Sequence, residues 1–390
     1  MSNFFNAIGV ADMEKVHSAV IGWMLSDKCQ ALDIKAKSAL LCNLFKENIR
    51  IFKNIVVQVE VYNIDILIET EDLQGKIECW MIENKIKSNQ HSNQLDKYVN
   101  IIEGTALSTG KKTQPITTKY VNYPAHYCFL TLIPESPRGV HIHKWKNLQY
   151  KDFLNLLVNV LNSKNNHVDS DILTEYASCL SEMTSALDDF LNQPKAYPYV
   201  LTDGSKKKTQ KNMVAIGNSK GKYASYIAEC GLETIFQKCL LSQLFNNLPI
   251  HTTTDWRDNL VIEEWHGTAM FGTGLNIWQN IQGTLKMQIE FQGGSFKVVL
   301  ISNDLKNYKG NNRVDKKKIF NGQWVPCFVN KKGKWTPNIK SNKPRISLTN
   351  SISKDWYYNK YTFEKGFNDA IQKATNIINE WCTQTSNPIP

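Results

Sequence analysis

The residues best placed to do chemistry are Asp65, Glu83 and Lys85. Asp65 lies in the apolar run VYNIDILIE, and Glu83 follows eighteen positions later in CWMIENKI, which also carries Lys85. On a strand, Glu83 and Lys85 share one face, because strand side chains alternate with period two. A carboxylate and an ammonium at the end of an apolar strand are costly to desolvate unless they pair or bind something. Asp65 on an adjacent antiparallel strand brings a second carboxylate beside the first. Two such carboxylates repel each other and suit a hard divalent cation; Mg2+ takes few protein oxygens together with water and phosphate. A cation there would polarise a phosphate and lower the pKa of a water, while Lys85 orients that water or stabilises developing charge. The spacing by itself is loose, since D…E-x-K arises by chance and also describes a surface ion pair on an edge strand.

Positioning this trio takes a sheet, and the surrounding periodicities supply one. Amphipathic spacing predicts helices over Met13–Leu25 and about Ile34–Ile49. The period then changes to strands over Ile55–Tyr62 and Ile64–Glu69, a turn at Glu71–Gly75, and a strand over Ile77–Lys85. The near-continuous apolar run Ile64–Ile68 points to a strand at the sheet centre. Further along, a helix over about Ser92–Glu103, strands over His126–Ile133 and Val140–Trp145, and helices over Tyr150–Leu161 and Asp169–Leu191 complete the unit. This order predicts an α/β (α+β) unit with a mixed sheet flanked by helices. Residues 1–195 form this first domain, residues 196–222 a linker or exposed loop, and residues 223–390 a second α+β domain. In that second domain Tyr223–Phe245 reads as one long helix, and Val261–His266, Thr284–Gln292 and Phe296–Ser302 as strands. The last two strands are joined by Gly293-Gly294, and Phe363–Trp381 is a final helix. His141 and His143 alternate along one strand and read as a solvated pair lacking a third ligand. Gly272-Thr273-Gly274 has neither the spacing nor the lysine of a phosphate loop.

The pattern D-x17-E-x-K on consecutive strands resembles the PD-(D/E)xK nuclease superfamily, and two flanking motifs strengthen the likeness. Gln94 and Tyr98 form Q-x-x-x-Y, one helical turn apart, similar to the motif that follows the active site in RecB-like members. Glu14 and His17, followed by Trp23-Met24-Leu25, resemble the E-x-x-H…W-L-L opening of one bacterial nuclease family in that superfamily. The runs Phe129–Pro134 and Trp145–Tyr150 are similar to the same family, so the likeness covers roughly residues 13–165 in order. The resemblance implies a restriction-endonuclease-like fold in which Asp65, Glu83 and Lys85 are catalytic and the backbone carbonyl of Asn84 joins Asp65 and Glu83 on the metal. It further implies Mg2+ as cofactor, with Mn2+ able to substitute, and Glu14 or His17 as an added ligand. Gln94 and Tyr98 would position DNA or the lysine, and Glu60 would be either an acidic site position or a residue facing away. Ile64 stands where the superfamily name has proline; that proline is not a ligand, so the chemistry is untouched.

Charge is unevenly spread. Residues 1–200 hold 20 Lys+Arg against 22 Asp+Glu, a balance of −2, whereas residues 201–390 hold 26 against 14, a balance of +12. The basic half suits a polyanion, most simply nucleic acid. Within it Arg313, Lys316, Lys317, Lys318, Lys331 and Lys332 interleave with Tyr308, Trp324 and Trp335, a mix fit for phosphate contact and base stacking. The nine scattered cysteines never form C-x-x-C, which argues for free thiols and against structural zinc. No apolar run approaches a bilayer span and no signal peptide opens the sequence, so the expected compartment is the cytoplasm, without a membrane partner. The expectation is a Mg2+-dependent deoxyribonuclease, an endonuclease acting on duplex DNA in a bacterial antiphage or restriction-like role. The alternatives are a nuclease subunit inactive alone and activated by a partner protein, or a catalytically quiet nucleic-acid binder. An activating or sensing protein and a second copy of the chain are the expected protein partners.

Overall fold

The computed structural model describes residues 3–88, 90, 94–104, 118–162, 168–200, 219–246, 261–265, 268–279, 284–292, 295–302, 336–338, 345–351, 361–370 and 372. These divide into two compact units: Met1–Gln193 with Lys220–Phe236, and Pro194–Ser219 with Gln237–Pro390. Residues 223–236, read from the sequence as the start of the second domain, therefore group with the first unit.

The first unit is a five-stranded mixed sheet clasped by helices, an α+β arrangement consistent with a restriction-endonuclease-like fold. Helices α1 (Phe4–Ala7), α2 (Glu14–Leu25) and α3 (Ile34–Leu44) lead into strands β1 (Phe52–Val61), β2 (Ile64–Asp72) and β3 (Ile77–Lys85). Helix α4 (Gln94–Ile102), strands β4 (Ala125–Thr131) and β5 (Trp145–Gln149), and helices α5 (Tyr150–Leu161) and α6 (Val168–Asn192) follow. The sheet order is β1-β2-β3-β4-β5. β1, β2 and β3 pair antiparallel, while β3–β4 and β4–β5 pair parallel.

Strand alternation sorts the sheet into two faces. Leu67, Cys79, Met81, Tyr127 and Phe129 form one buried cluster with Leu95, Tyr98, Val99 and Ile102 of α4. Those α4 positions recur at i, i+3, i+4 and i+7, which is why this short segment is a helix. The opposite face buries Ile66, Ile68, Trp80 and Ile82; Trp80 packs edge-on against Phe45 and Phe52 at ring-centre distances of 5.0 and 5.7 Å. Asp65, Glu83 and Lys85 share the parity of the α4 face, and Asn84 points to the other.

Two segments differ from the sequence reading. Val140–Trp145 is not a strand: residues Ile142–Lys144 form a short 3-10 turn and β5 begins at Trp145. The cause is a capture of backbone donors, since the Asp96 carboxylate accepts from the N–H groups of Val140 and His141 at 3.0 and 2.9 Å. His141 and His143 thus lie on a turn and not on a strand face. The helix expected over Tyr223–Phe245 is broken into Ala224–Glu229 and Glu233–Asn246. Gly231 adopts φ +60°, and the N–H groups of Gly231 and Leu232 bond back to Ala228 and Ile227, the Schellman closure that ends a helix.

The second unit contains a six-stranded antiparallel sheet. Its strands are β6 (Val261–Trp265), β7 (Thr268–Gln279), β8 (Thr284–Gln292), β9 (Ser295–Ser302), β10 (Thr336–Asn338) and β11 (Arg345–Ser351), in the order β10-β11-β9-β8-β7-β6. Gln292 pairs with Ser295, so β8 and β9 form the expected two-residue hairpin. Residues 361–370 are helical. Among the described residues no helix is long and apolar enough to cross a membrane, and the seven described cysteines are all free and buried.

Candidate active site

The site forms where β2 and β3 part. Their ladder runs to Ile66 opposite Ile82; one step further would set Asp65 opposite Glu83. At the next position the strand-to-strand bond is replaced by a side chain, the backbone N–H of Asn84 donating to Asp65 Oδ2 at 2.7 Å. On its other side β3 stays paired with β4, Glu83, Asn84 and Lys85 lying beside Phe129, Leu130 and Thr131. The two carboxylates and Lys85 are therefore held at the end of a central strand, on the α4 face.

Glu83 is fully buried, at 0% exposure. Its Oε1 receives Lys85 Nζ at 2.5 Å and Gln94 Nε2 at 2.7 Å. Gln94 Nε2 also donates to the Tyr98 hydroxyl at 2.6 Å, and that hydroxyl donates to the carbonyl of Asn63 at 2.5 Å. Q-x-x-x-Y thus ties the buried glutamate to the tip of the β1–β2 hairpin. At this tip Tyr62 and Asn63 have φ of +53° and +63° between the paired Val61 and Ile64, the pattern of a type I′ turn.

Burial first, and the neighbouring Asp65 charge second, push the Glu83 carboxyl up to about 8 in spite of Lys85. Burial also raises Asp65, restrained by the Asn84 N–H and by Lys85. For Lys85 burial works against the ammonium, but Glu83 and Asp65 outweigh it and the pKa lies above its usual value. Lys85 accordingly stays charged. Glu83 Oε2, by contrast, is buried without a hydrogen-bond partner among the described residues. An orphaned carboxylate oxygen beside a second, repelling carboxylate suits a divalent cation, which would give Oε2 a partner and cancel the repulsion. No group of three or more His, Cys, Asp or Glu side chains is gathered for a metal among the described residues. The donors that Asp65 and Glu83 offer are carboxylate oxygens, which suit a hard divalent cation.

Residues 2–178 match the family model of the PD-(D/E)XK nuclease superfamily. These residues belong to that superfamily. The match supports a nuclease in general terms, nucleic acid as what it binds, and divalent metal use as general among such enzymes. Neither the curated proteins nor the solved structures contain a match to the chain.

The other expected residues of the nuclease unit are placed as follows. Glu14 reaches the chain just beyond Lys85: its Oε1 accepts from the N–H groups of Ile86, Lys87 and Ser88 at 2.8, 2.9 and 2.8 Å, and its Oε2 from the Ser88 hydroxyl at 2.8 Å. Burial would raise its pKa, but these donors and Lys85 hold it below the usual value. His17 lies on the Asn84 side of β3, beside Tyr150, and not on the side of Glu83 and Lys85. Its Nε2 bonds the carbonyl of Ala11 at 2.8 Å and its Nδ1 the Tyr176 hydroxyl at 3.0 Å, and burial holds its pKa down at about 4. Glu60 faces outward in an exposed ion pair with Lys15 at 3.5 Å. Arg313, Lys316, Lys317, Lys318, Lys331 and Lys332 lie outside the described residues.

Ser18 and Tyr150 were not singled out from the sequence, yet they contact Asn84. The Asn84 Nδ2 donates to Ser18 Oγ at 3.1 Å and to the Glu14 carbonyl at 3.0 Å, and the Tyr150 hydroxyl donates to Asn84 Oδ1 at 2.6 Å. The available signal was the intervening residue of E-N-K itself: a polar Asn84 on a face otherwise apolar must find partners on the helices that cover it.

Proposed function

We infer that the chain hydrolyses phosphodiester bonds of nucleic acid, with duplex DNA as substrate, Mg2+ as cofactor and Mn2+ able to replace it. The observation that carries this reading is the buried, unpartnered Oε2 of Glu83 beside Asp65, with a charged Lys85 at 2.5 Å from the other oxygen. Asp65, Glu83 and the backbone carbonyl of Asn84 would hold the cation. When bound, it supplies Lewis-acid polarisation of the scissile phosphate. Gln94 and Lys85 hold the Glu83 carboxylate in place through Oε1, which leaves Oε2 available to ligate a cation. The Lys85 ammonium sets a fixed positive charge where the phosphoryl oxygens gain negative charge as water adds and the P–O bond breaks. The basic half, residues 201–390, supplies attraction for the phosphate backbone that the −2 balance of residues 1–200 does not. Cleavage of foreign DNA in a bacterial antiphage or restriction-like role accords with such an endonuclease.

The test is incubation of the purified protein with plasmid, linear duplex and single-stranded DNA and with RNA, in Mg2+, Mn2+ and EDTA. Nicking or cutting of plasmid in Mg2+ and in Mn2+, abolished by EDTA, is the expected result. Cleavage that persists in EDTA would overturn it, and cleavage of RNA alone would overturn the choice of substrate.

A further inference from the structure

We propose that Tyr150 is a positioning residue for the nuclease site, acting through Asn84 from the far face of the sheet. The proposal rests on the nuclease reading for its kinetic consequences, though its structural content stands apart from it.

The need for such a residue follows from how β3 ends. Beyond Ile82 the strand has lost its regular ladder with β2, and the Asp65 carboxylate takes the Asn84 N–H in its place. At Asn84 itself the backbone is held by β4 on one side and by the Asp65 carboxylate on the other. Glu14 fixes the chain only from Ile86 onward, so the side chain of Asn84 is what sets the twist of this segment. Twisting would swing Glu83 and Lys85 together, since both flank Asn84 on the opposite face. The Asn84 side chain is buried at 0% exposure and is gripped by three bonds. The Tyr150 hydroxyl holds its carbonyl oxygen, and Ser18 Oγ and the Glu14 carbonyl hold its amide nitrogen. These come from two elements, α2 and the start of α5, so the grip resists rotation in both senses.

Tyr150 is itself braced. It is fully buried, and the His17 ring meets its ring edge-on at 5.4 Å and 78°. His17 is fixed in turn by Ala11 and by Tyr176 of α6. The two halves of the E-x-x-H motif thus serve one strand end. Glu14 clamps the backbone just after Lys85, and His17 steadies the tyrosine that clamps the residue just before it. A phenol in this position has an apolar ring that fills the helix–sheet interface and a hydroxyl that donates to the Asn84 carbonyl oxygen, with the Tyr176 hydroxyl beside it.

The experiment compares the wild type with Tyr150→Phe, Asn84→Ala, the double variant and Ser18→Ala, with Tyr127→Phe as control. Tyr127 is a buried tyrosine whose hydroxyl bonds Glu103 at 3.3 Å, away from the site. In the metal-free full chain, hydrogen exchange followed by mass spectrometry should show Tyr150→Phe and Ser18→Ala accelerating exchange over residues 83–86. Residues 79–82 should stay protected, and Tyr127→Phe should leave residues 83–86 unchanged. In cleavage assays Tyr150→Phe should lower kcat by at least about tenfold with KM unchanged, since small misplacements of reacting groups cost rate more than binding. The double variant should be no slower than Asn84→Ala alone, because both remove the same grip. Unaltered exchange over residues 83–86 in Tyr150→Phe overturns the proposal, as does a kcat equal to the wild type or a double variant in which the losses multiply. If the wild type cleaves nothing, the nuclease reading falls and the exchange result alone decides the positioning role.

Discussion

Gln94→Leu removes a hydrogen bond to the buried carboxylate, together with the bond to the Tyr98 hydroxyl, and yields a prediction with a defined pH signature. The substitution keeps an apolar stem in place but removes the Nε2 donor, 2.7 Å from Glu83 Oε1. A hydrogen bond to a charged group contributes roughly 1.5–3 kcal/mol, and it stabilises only the ionised form. At about 1.4 kcal/mol for each pH unit, its loss should move the Glu83 carboxyl up by about 1–2 pH units, from a starting value already pushed up to about 8. A proton and a divalent cation compete for the same oxygens, so below that pKa metal affinity falls about tenfold for each pH unit that the pKa rises. Gln94→Leu should therefore bind Mg2+ roughly 10–100-fold more weakly than the wild type near pH 7. The deficit should shrink steadily as the pH is raised toward and beyond 9, where both proteins approach ionisation of Glu83. Isothermal titration of Mg2+ into both proteins between pH 6.5 and 9.5 reads this directly. Equal affinities throughout, or a deficit that does not depend on pH, would refute the reasoning.

Two further outcomes are expected, one from the burial of His17 and one from the charge of the sequence after residue 200. His17 is buried with a pKa of about 4 against about 6.5 when unfolded; the folded state holds it neutral, so its contribution is fully present above pH 6.5 and is lost as the pH falls toward 4. The loss amounts to about 3 kcal/mol, and His17→Gln should show a correspondingly shallower fall in urea stability across that window, whereas identical pH profiles would count against the burial argument. Neutralising Lys316, Lys317 and Lys318 together should reduce the slope of log affinity for duplex DNA against log salt by about 2.7 if each meets a phosphate. Mg2+ binding should be unaffected, and an unchanged slope would place those lysines away from DNA.

Where sequence and structure agree, the cause is local and strong. Ile77–Lys85 and Tyr150–Leu161 have the boundaries read from the sequence, because an apolar run stopped by charges and an amphipathic run opened by a capping pattern leave little competition. The trio Asp65, Glu83 and Lys85 was legible for the same reason: charges at the end of buried strands demand partners. Elsewhere distant residues decide. The alternation of Val140 to Trp145 mimics a strand, but Asp96 on α4 takes the backbone donors and turns the chain. Gly272 and Gly274 hid β7 by diluting its apolar pattern. Gly231 carried a helix-stop signal that the helix-favouring residues on either side of it masked. Glu14 and His17 were visible as a motif, whereas their tasks on either side of Asn84 depend on the fold, because Ile86, Tyr150 and Tyr176 lie more than seventy residues away from them in sequence.

The central claim is that Asp65, Glu83 and Lys85 form a metal-dependent nuclease site. It is tested most directly by single-turnover plasmid cleavage in saturating Mg2+ for the wild type and for Asp65→Ala, Glu83→Ala and Lys85→Ala, with Mg2+ binding measured on the same preparations. Lys85→Ala should cut about 10²–10³-fold more slowly while still binding the ion, as expected on losing one electrostatic stabiliser. Asp65→Ala and Glu83→Ala should lose both cleavage and binding. Wild-type cleavage by Lys85→Ala, or undiminished Mg2+ binding by Glu83→Ala, would contradict the account.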